Sequence, residues 1–257
     1  MNRRNLVLEA MGLGPRWQRR GWADAEPAAA SDAAAAPVQQ AAPENRPAPQ
    51  PAEAAAKPAP PVPTAVAAGS DDLPWDALER AVSGCQRCRL AGTRKQTVFG
   101  RGNPGARLML IGEAPGEQED AQGEPFVGRA GQLLDNMLAA IGLDRDRDVY
   151  IANVIKCRPP GNRNPGSDEI AACQGYLLQQ IRHVKPEMIV ALGRFAAQTL
   201  LATDQSISRL RGRLHHYQGI PTVVTFHPAY LLRNLPDKAL AWQDMVFARR
   251  TLAAATR

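Results

Sequence analysis

Between Glu26 and Ser70, 28 of 45 residues are Ala or Pro, and large apolar side chains are almost missing. Such a stretch cannot bury enough surface to offset the entropy of ordering its backbone. The sequence therefore predicts a disordered, fairly extended tether over 24–70. This feature confines the foldable chain to about 71–257, one domain's worth of residues. It also sets apart a short N-terminal segment, 1–23.

The formal charge of +6 divides unevenly, as +4 over 1–23, −3 over 24–70 and +5 over 71–257. A mildly basic domain suits a polyanionic partner, but ordinary surface charge gives the same number, so charge does not decide the function. No run approaches the roughly 18 apolar residues of a membrane helix. Near the N-terminus Glu9 interrupts the apolar residues and no signal-peptide core follows. The expectation is a cytoplasmic protein without membrane contact, a compartment in which disulfides are disfavoured.

That makes the four cysteines, Cys85, Cys88, Cys157 and Cys173, the next feature to explain. Cys85-Gln86-Arg87-Cys88 is a C-x2-C clip that can turn two thiolates toward one metal centre. Sixty-eight residues separate Cys88 from Cys157, and 15 separate Cys157 from Cys173. In a reducing compartment this pattern favours a metal site over scattered buried thiols, either tetrahedral zinc or a four-cysteine iron–sulfur cluster. Spacing leaves the two open. Nothing nearby resembles an open catalytic position, so the site reads as structural or DNA-organising.

Four short apolar runs predict buried strands: Arg107–Ile111, Val149–Val154, Met188–Leu192 and Thr222–Phe226. Helical patterns cover Ala130–Ile141, Ser167–His183 and Arg194–Leu201, with a last amphipathic helix near Lys238–Ala253. Strands alternating with helices argue for an α/β domain with a mainly parallel sheet, whose ligands bind beyond the carboxyl ends of the strands. Unusual residues stand at all four ends. They are Gly112-Glu113-Ala114-Pro115-Gly116-Glu117, then Asn153 with Lys156-Cys157-Arg158-Pro159-Pro160, then Gly193-Arg194, then His227-Pro228-Ala229-Tyr230-Leu231-Leu232-Arg233. Each is a weak signal alone. Their convergence in one crevice makes Glu113, Asn153 and His227 the candidate functional trio.

The segments Gly112–Gly116, Glu119-Asp120 and Pro125-Phe126-Val127-Gly128-Arg129-Ala130-Gly131 together resemble the first motif of the family 4 uracil-DNA glycosylases. Asn153–Pro160 and His227–Arg233 resemble the later signatures of that family, and the resemblance spans roughly Leu73–Arg250. It implies a three-layer αβα sandwich around a four-stranded parallel sheet. It also implies that Cys85, Cys88, Cys157 and Cys173 hold a [4Fe–4S] cluster. A neighbouring group that bonds covalently to uracil-containing DNA carries Gln where this chain has Ala114. That group also has a basic, histidine-containing insert, and Arg158–Gly166 contains no histidine.

The resemblance implies hydrolysis of the N-glycosidic bond of deoxyuridine in single- or double-stranded DNA, after the base is flipped out. Asn153 then reads the uracil edge, since one amide offers both donor and acceptor. Phe126 stacks on the ring, with Gly112, Ala114 and Gly116 allowing close approach. His227 stabilises the charge growing on the leaving base. Glu113 orients or activates water, although related enzymes with a Gly-Gln-Asp-Pro motif place their carboxylate at the Ala114 position. No lysine stands ready to attack, Lys156 being in the cysteine loop, so no strand cleavage is expected. Leu231 or Leu232 could wedge into the duplex, with Arg233, Arg158 and Arg163 on phosphates.

Residues 3–20 carry paired arginines, apolar residues at helical spacing and Trp17, and are too few to fold alone. Before a long tether they read as a docking peptide or as a basic arm for DNA. Their layout resembles the N-terminal peptide of the psi subunit of the bacterial clamp loader, which implies a replication partner. The full expectation is a monomeric, monofunctional repair glycosylase at the bacterial nucleoid. The alternative is a non-catalytic or covalently trapping uracil-DNA binding protein of the same fold.

Overall fold

The computed structural model describes residues 73–254. The expected docking peptide and the whole of the expected tether lie outside the described residues. In chain order the elements are α1 (Trp75–Ser83), β1 (Arg101–Gly102), β2 (Leu108–Gly112), α2 (Glu117–Gln122), α3 (Arg129–Ala140), β3 (Val149–Asn153), α4 (Ser167–Val184), β4 (Met188–Leu192), α5 (Arg194–Leu201), α6 (Ile207–Leu210), β5 (Leu214–Tyr217), β6 (Ile220–Thr225), α7 (Pro228–Leu231) and α8 (Lys238–Ala254), with short 3-10 turns between some of them.

The four strands expected from apolar runs are β2, β3, β4 and β6, and they form the parallel centre of the sheet in the order β3-β2-β4-β6. Every residue of β2, β3 and β4 is buried, which is why they read as continuous apolar runs rather than alternating ones. The sheet is wider than expected, because β1 and β5 add antiparallel edges. Neither has a readable strand pattern. β1 has two residues, and β5 is only half-covered.

Period-two alternation divides the core into two layers. Met109, Ile111 and Ala152 face α1, α4 and α5 through Leu78, Val82, Leu177, Ile181, Ala197 and Leu200. Leu108, Leu110 and Ile151 face α3 and α8 through Leu134, Leu138, Met245 and Ala248. This is the expected αβα sandwich. Parallel pairing brings the carboxyl ends of β2 and β3 level, with Gly112 beside Asn153. The same register sets Leu192 of β4 beside Thr225 of β6, two residues before His227.

Candidate active site and cysteine centre

Gly112 and Asn153 are register partners, and the pairing continues past the strands through Val154 N–H to Gly112 O at 2.9 Å. A Cβ on Gly112 would stand 2.4 Å from Asn153 Oδ1 and 2.7 Å from Phe126 Cζ. Only glycine lets these two side chains close over the strand end. Asn153 is 2% exposed, and its Oδ1 has no hydrogen-bond partner. A buried orphan acceptor is costly, and it marks a place where a ligand supplies the missing donor.

Phe126 is buried and sits at φ 54, in the left-handed region that a bulky side chain avoids. Its loop is held from two sides. Arg145 donates to Phe126 O at 3.0 Å and to Pro125 O at 2.8 Å. Glu119 accepts from Val127 N at 3.0 Å, Gly128 N at 3.1 Å and Gly116 N at 3.1 Å. A Cβ on Gly116 would stand 2.7 Å from that carboxylate. One acidic side chain therefore ties the turn after β2 to the loop bearing Phe126. Glu119 three residues after Gly116, at the start of α2, was a readable helix-start signal. Arg145 had no sequence signal.

His227 stacks toward Phe126, with ring centroids 5.5 Å apart and planes at 30°. It caps α7 by accepting Ala229 N–H at Nδ1, at 3.1 Å. Nδ1 is therefore unprotonated, and the ring's proton sits on Nε2, free to be donated. Burial pushes the histidine down to about 4, with Arg233 adding to the fall and Glu119 opposing it. The ring is thus neutral at physiological pH. Gly193, at φ +93 after β4, allows this packing, since a Cβ there would meet His227 Cβ at 2.8 Å.

Glu113 is half-buried, and burial raises its carboxyl above the ordinary range while Arg194, at the start of α5, pulls it back. Arg194 was noticed in the sequence only as a strand-end residue. Ala114 is partly buried and packs against the core beside α1, α4 and α5, so no carboxylate stands at that position.

The DNA-contact expectations divide. Arg233 is exposed. Leu231 is 1% exposed, packed with Phe226 and Ala241, so its expected insertion into DNA is corrected: it is core. Leu232, half-exposed beside it, is the side chain able to reach out. Arg163 is exposed, and both its amino groups also hold the fully buried Glu169, at 2.9 and 2.6 Å. That contact, with help from Gly166 N–H and Arg89, holds the Glu169 carboxyl down to about 2. Arg158 donates to Asn162 at 2.8 Å, and its Nη2 stands 3.9 Å from the Glu117 carboxylate.

All four cysteines are free thiols and line one cavity, together with Val82, Arg87, Lys156, Ala172 and Tyr176. Among the described residues no three His, Cys, Asp or Glu side chains are gathered tightly enough to hold a single metal ion. The thiols stand around a space rather than converging on a point. Donors already aim at them: Arg94 at Cys157 Sγ, 3.2 Å, and Lys156 N–H at Cys173 Sγ, 3.3 Å. Burial pushes the Cys173 thiol up to about 11, so without a metal to replace its proton it stays neutral. Lys156 is buried and cannot attack a substrate. Its ammonium donates to Asn153 O at 2.8 Å and Gln180 Oε1 at 2.6 Å. Burial lowers it to about 8, with Cys173 and Cys157 opposing the fall.

Comparison with known proteins agrees with this geometry. Residues 99–246 match the uracil DNA glycosylase superfamily. A type-4 uracil-DNA glycosylase of Thermotoga maritima is 46% identical over 159 residues, covering 61% of this chain and 82% of its own. Type-4 enzymes of Archaeoglobus fulgidus and Saccharolobus solfataricus are 44% and 42% identical, covering 61% and 70% of this chain and 82% and 87% of theirs.

Proposed function

The chain belongs to the type-4 uracil-DNA glycosylases, and from that premise we propose how its own residues remove uracil from DNA. It is a repair hydrolase that cuts the N-glycosidic bond of deoxyuridine and leaves an abasic site. The observation that carries the residue assignment is the orphaned Oδ1 of buried Asn153, closed in by Gly112 and Phe126.

A flipped uracil stacked on Phe126 presents its N3–H to Asn153 Oδ1 and its O4 to the same amide's NH2. Cytosine has the opposite donor and acceptor order on that edge and is refused. As the C1′–N1 bond breaks, its electron pair goes to the base, and negative charge grows on O2. Nε2–H of neutral His227 donates to that oxygen, stabilising the leaving anion without first having to lose a proton. The sugar becomes oxocarbenium-like. A water held by Glu113 adds to C1′, and its proton passes to the carboxylate and then to solvent. Leu232 fills the space left by the base while Arg233 and Arg158 meet phosphates.

The four cysteines fit a [4Fe–4S] cluster, because they surround a cavity with donors aimed at the sulfurs. Such a group would clamp the segment after α1 to the loop after β3.

The deciding assay incubates the protein with a uracil-containing strand, single and duplex, and then with alkali. Breakage at the uracil supports this reading. No reaction supports a binding module, and a denaturant-resistant adduct supports a covalent trap. For residues 1–23 we propose a docking peptide for the replication machinery in the nucleoid, on the strength of their paired arginines and Trp17. A pull-down with that peptide recovering no clamp-loader component would remove the idea.

A further inference from the structure

Three buried carboxylates are satisfied in ordinary ways. Glu169 faces Arg163 and Arg89, Asp244 faces Arg211 and Thr225, and Asp120 accepts backbone N–H groups of Lys95 and Gln96. Lys156 is different. It is 1% exposed, and its ammonium meets only neutral acceptors, Asn153 O and Gln180 Oε1. A buried cation calls for a counter-charge. The groups available to supply it are the four cysteines, whose cavity Lys156 also lines. Four thiolates outweigh the positive charge of a four-iron core, so the filled site is anionic.

The other polar atoms of Lys156 are also committed. Its N–H donates to Cys173 Sγ at 3.3 Å, and its carbonyl accepts Val98 N–H at 2.8 Å. Gln180, fully buried, takes the ammonium and in turn donates to Phe99 O at 2.9 Å and Tyr150 OH at 3.2 Å. One side chain thus connects the cysteine cavity to the backbone carbonyl of the residue that ends β3 and carries the orphan amide oxygen.

We propose that Lys156 is the buried counter-ion of the cysteine-held cluster and, through Asn153, a positioning residue for uracil recognition. The inference rests on the reading that the cysteines hold a cluster and Asn153 reads the base. Lys156 touches neither substrate nor water. Its ammonium draws the end of β3 toward the cysteine loop and sets the angle at which Asn153 faces Phe126. Recognition of uracil therefore depends on a filled cysteine site, although no iron need approach the base.

The test uses the full chain, with K156M and Q180L as variants. Three quantities are measured: iron content, the cluster's midpoint potential, and binding to a strand bearing 2′-fluoro-2′-deoxyuridine against an all-thymine strand. The fluorinated nucleotide resists hydrolysis and so isolates recognition. K156M should lower the potential, since a lost buried cation makes adding an electron harder. It should also reduce the preference for the uracil strand about 10- to 100-fold, the scale of losing a supporting partner. Affinity for the thymine strand should not change. Q180L should lower the preference less and leave the potential nearly in place. An unchanged potential in iron-loaded K156M overturns the counter-ion role, and an unchanged preference overturns the positioning role. If K156M takes up no iron, Q180L decides: wild-type preference there overturns the positioning role. Wild-type protein that itself carries no iron sinks the cluster reading, whereas iron-loaded wild type with a K156M that matches it in potential and preference sinks only this inference.

Discussion

The uracil pocket and the cysteine cavity lie at opposite ends of the same five residues, Asn153–Cys157, and they follow opposite rules. In the pocket the ordinary rules of pairing are broken. Asn153 Oδ1 is buried without a partner, Phe126 holds a left-handed backbone, and Gly112 is compressed between them. Around the cavity the polar groups are paired: Arg94 with Cys157 Sγ and Cys85 O, Lys156 N–H with Cys173 Sγ, Glu169 with two arginines. On the proposed reading the first region is completed by a base. The second is built to be rigid, so that the first stays open at the right angle. Unsatisfied groups mark where function happens, and satisfied ones mark what holds it in place.

The largest break in this contrast comes from the rigid side. Cys157→Ser should lose the iron absorbance, lower the unfolding midpoint and abolish uracil release, measured together on one preparation. If activity survived with iron gone, the cavity would not support the pocket.

Next in size is the pocket itself. His227→Ala removes the donor to the leaving oxygen and should lower kcat about 10²–10³-fold with DNA affinity intact. Asn153→Ala should lose a similar amount in kcat/KM, together with selection against cytosine. Equal losses on all substrates would mean that the amide only builds the fold.

Smaller effects belong to proton transfer. Burial lowers His227 to about 4, so it should not titrate above about pH 5, and the acid limb of kcat/KM belongs to Glu113. That limb should lie above the usual carboxylate range, because burial raises Glu113, and should vanish in Glu113→Gln. A variant with near-full single-turnover rate would remove the base role. The histidine has a separate signature in stability. The unfolded chain binds its proton near pH 6.5 and the folded chain only near 4. Between those values the unfolded state holds more protons, so stability is lost as pH falls through that window.

The smallest expected change separates two neighbouring leucines. Leu231→Ala should cost about 2–5 kcal/mol of stability, as buried leucines do. Leu232→Ala should leave stability near wild type and slow duplex cleavage a few-fold, sparing single strands, which need no wedge. Reversed behaviour would exchange their roles.

Much of the site was legible because its chemistry sits at strand ends, and buried parallel strands are visible as apolar runs. Glu113 follows β2 directly, Asn153 ends β3 and His227 stands two residues after β6, so locating the strands located them. Cys85 and Cys88 were legible from their spacing. The edge strands were not, because β1 is two residues long and β5 is half-exposed, and neither carries a period. Arg145 was also invisible. It clamps the carbonyls of Pro125 and Phe126 from 20 and 19 residues away, and contacts at that separation leave no local pattern. Leu231 was misjudged for the same reason. A leucine in a wedge motif looks exposed until Phe226 and Ala241 are found packed on it.

What the sequence determined by itself was identity: the order of strands and helices, the strand-end trio, and four cysteines belonging to one family's pattern. Those are properties of residue type and spacing, which the chain carries whether folded or not. Only the tertiary structure decided states: that His227 is neutral with its proton on Nε2, that Asn153 has an acceptor to spare, that Lys156 is buried against the cysteines, and which leucine is core. Each depends on burial and on partners distant in the chain, and a protonation state or an unmet hydrogen bond exists only once the surroundings are assembled. The four cysteines lie on both sides of that division, because their number and spacing permitted either zinc or iron, and only the fold brings all four to the lining of one cavity.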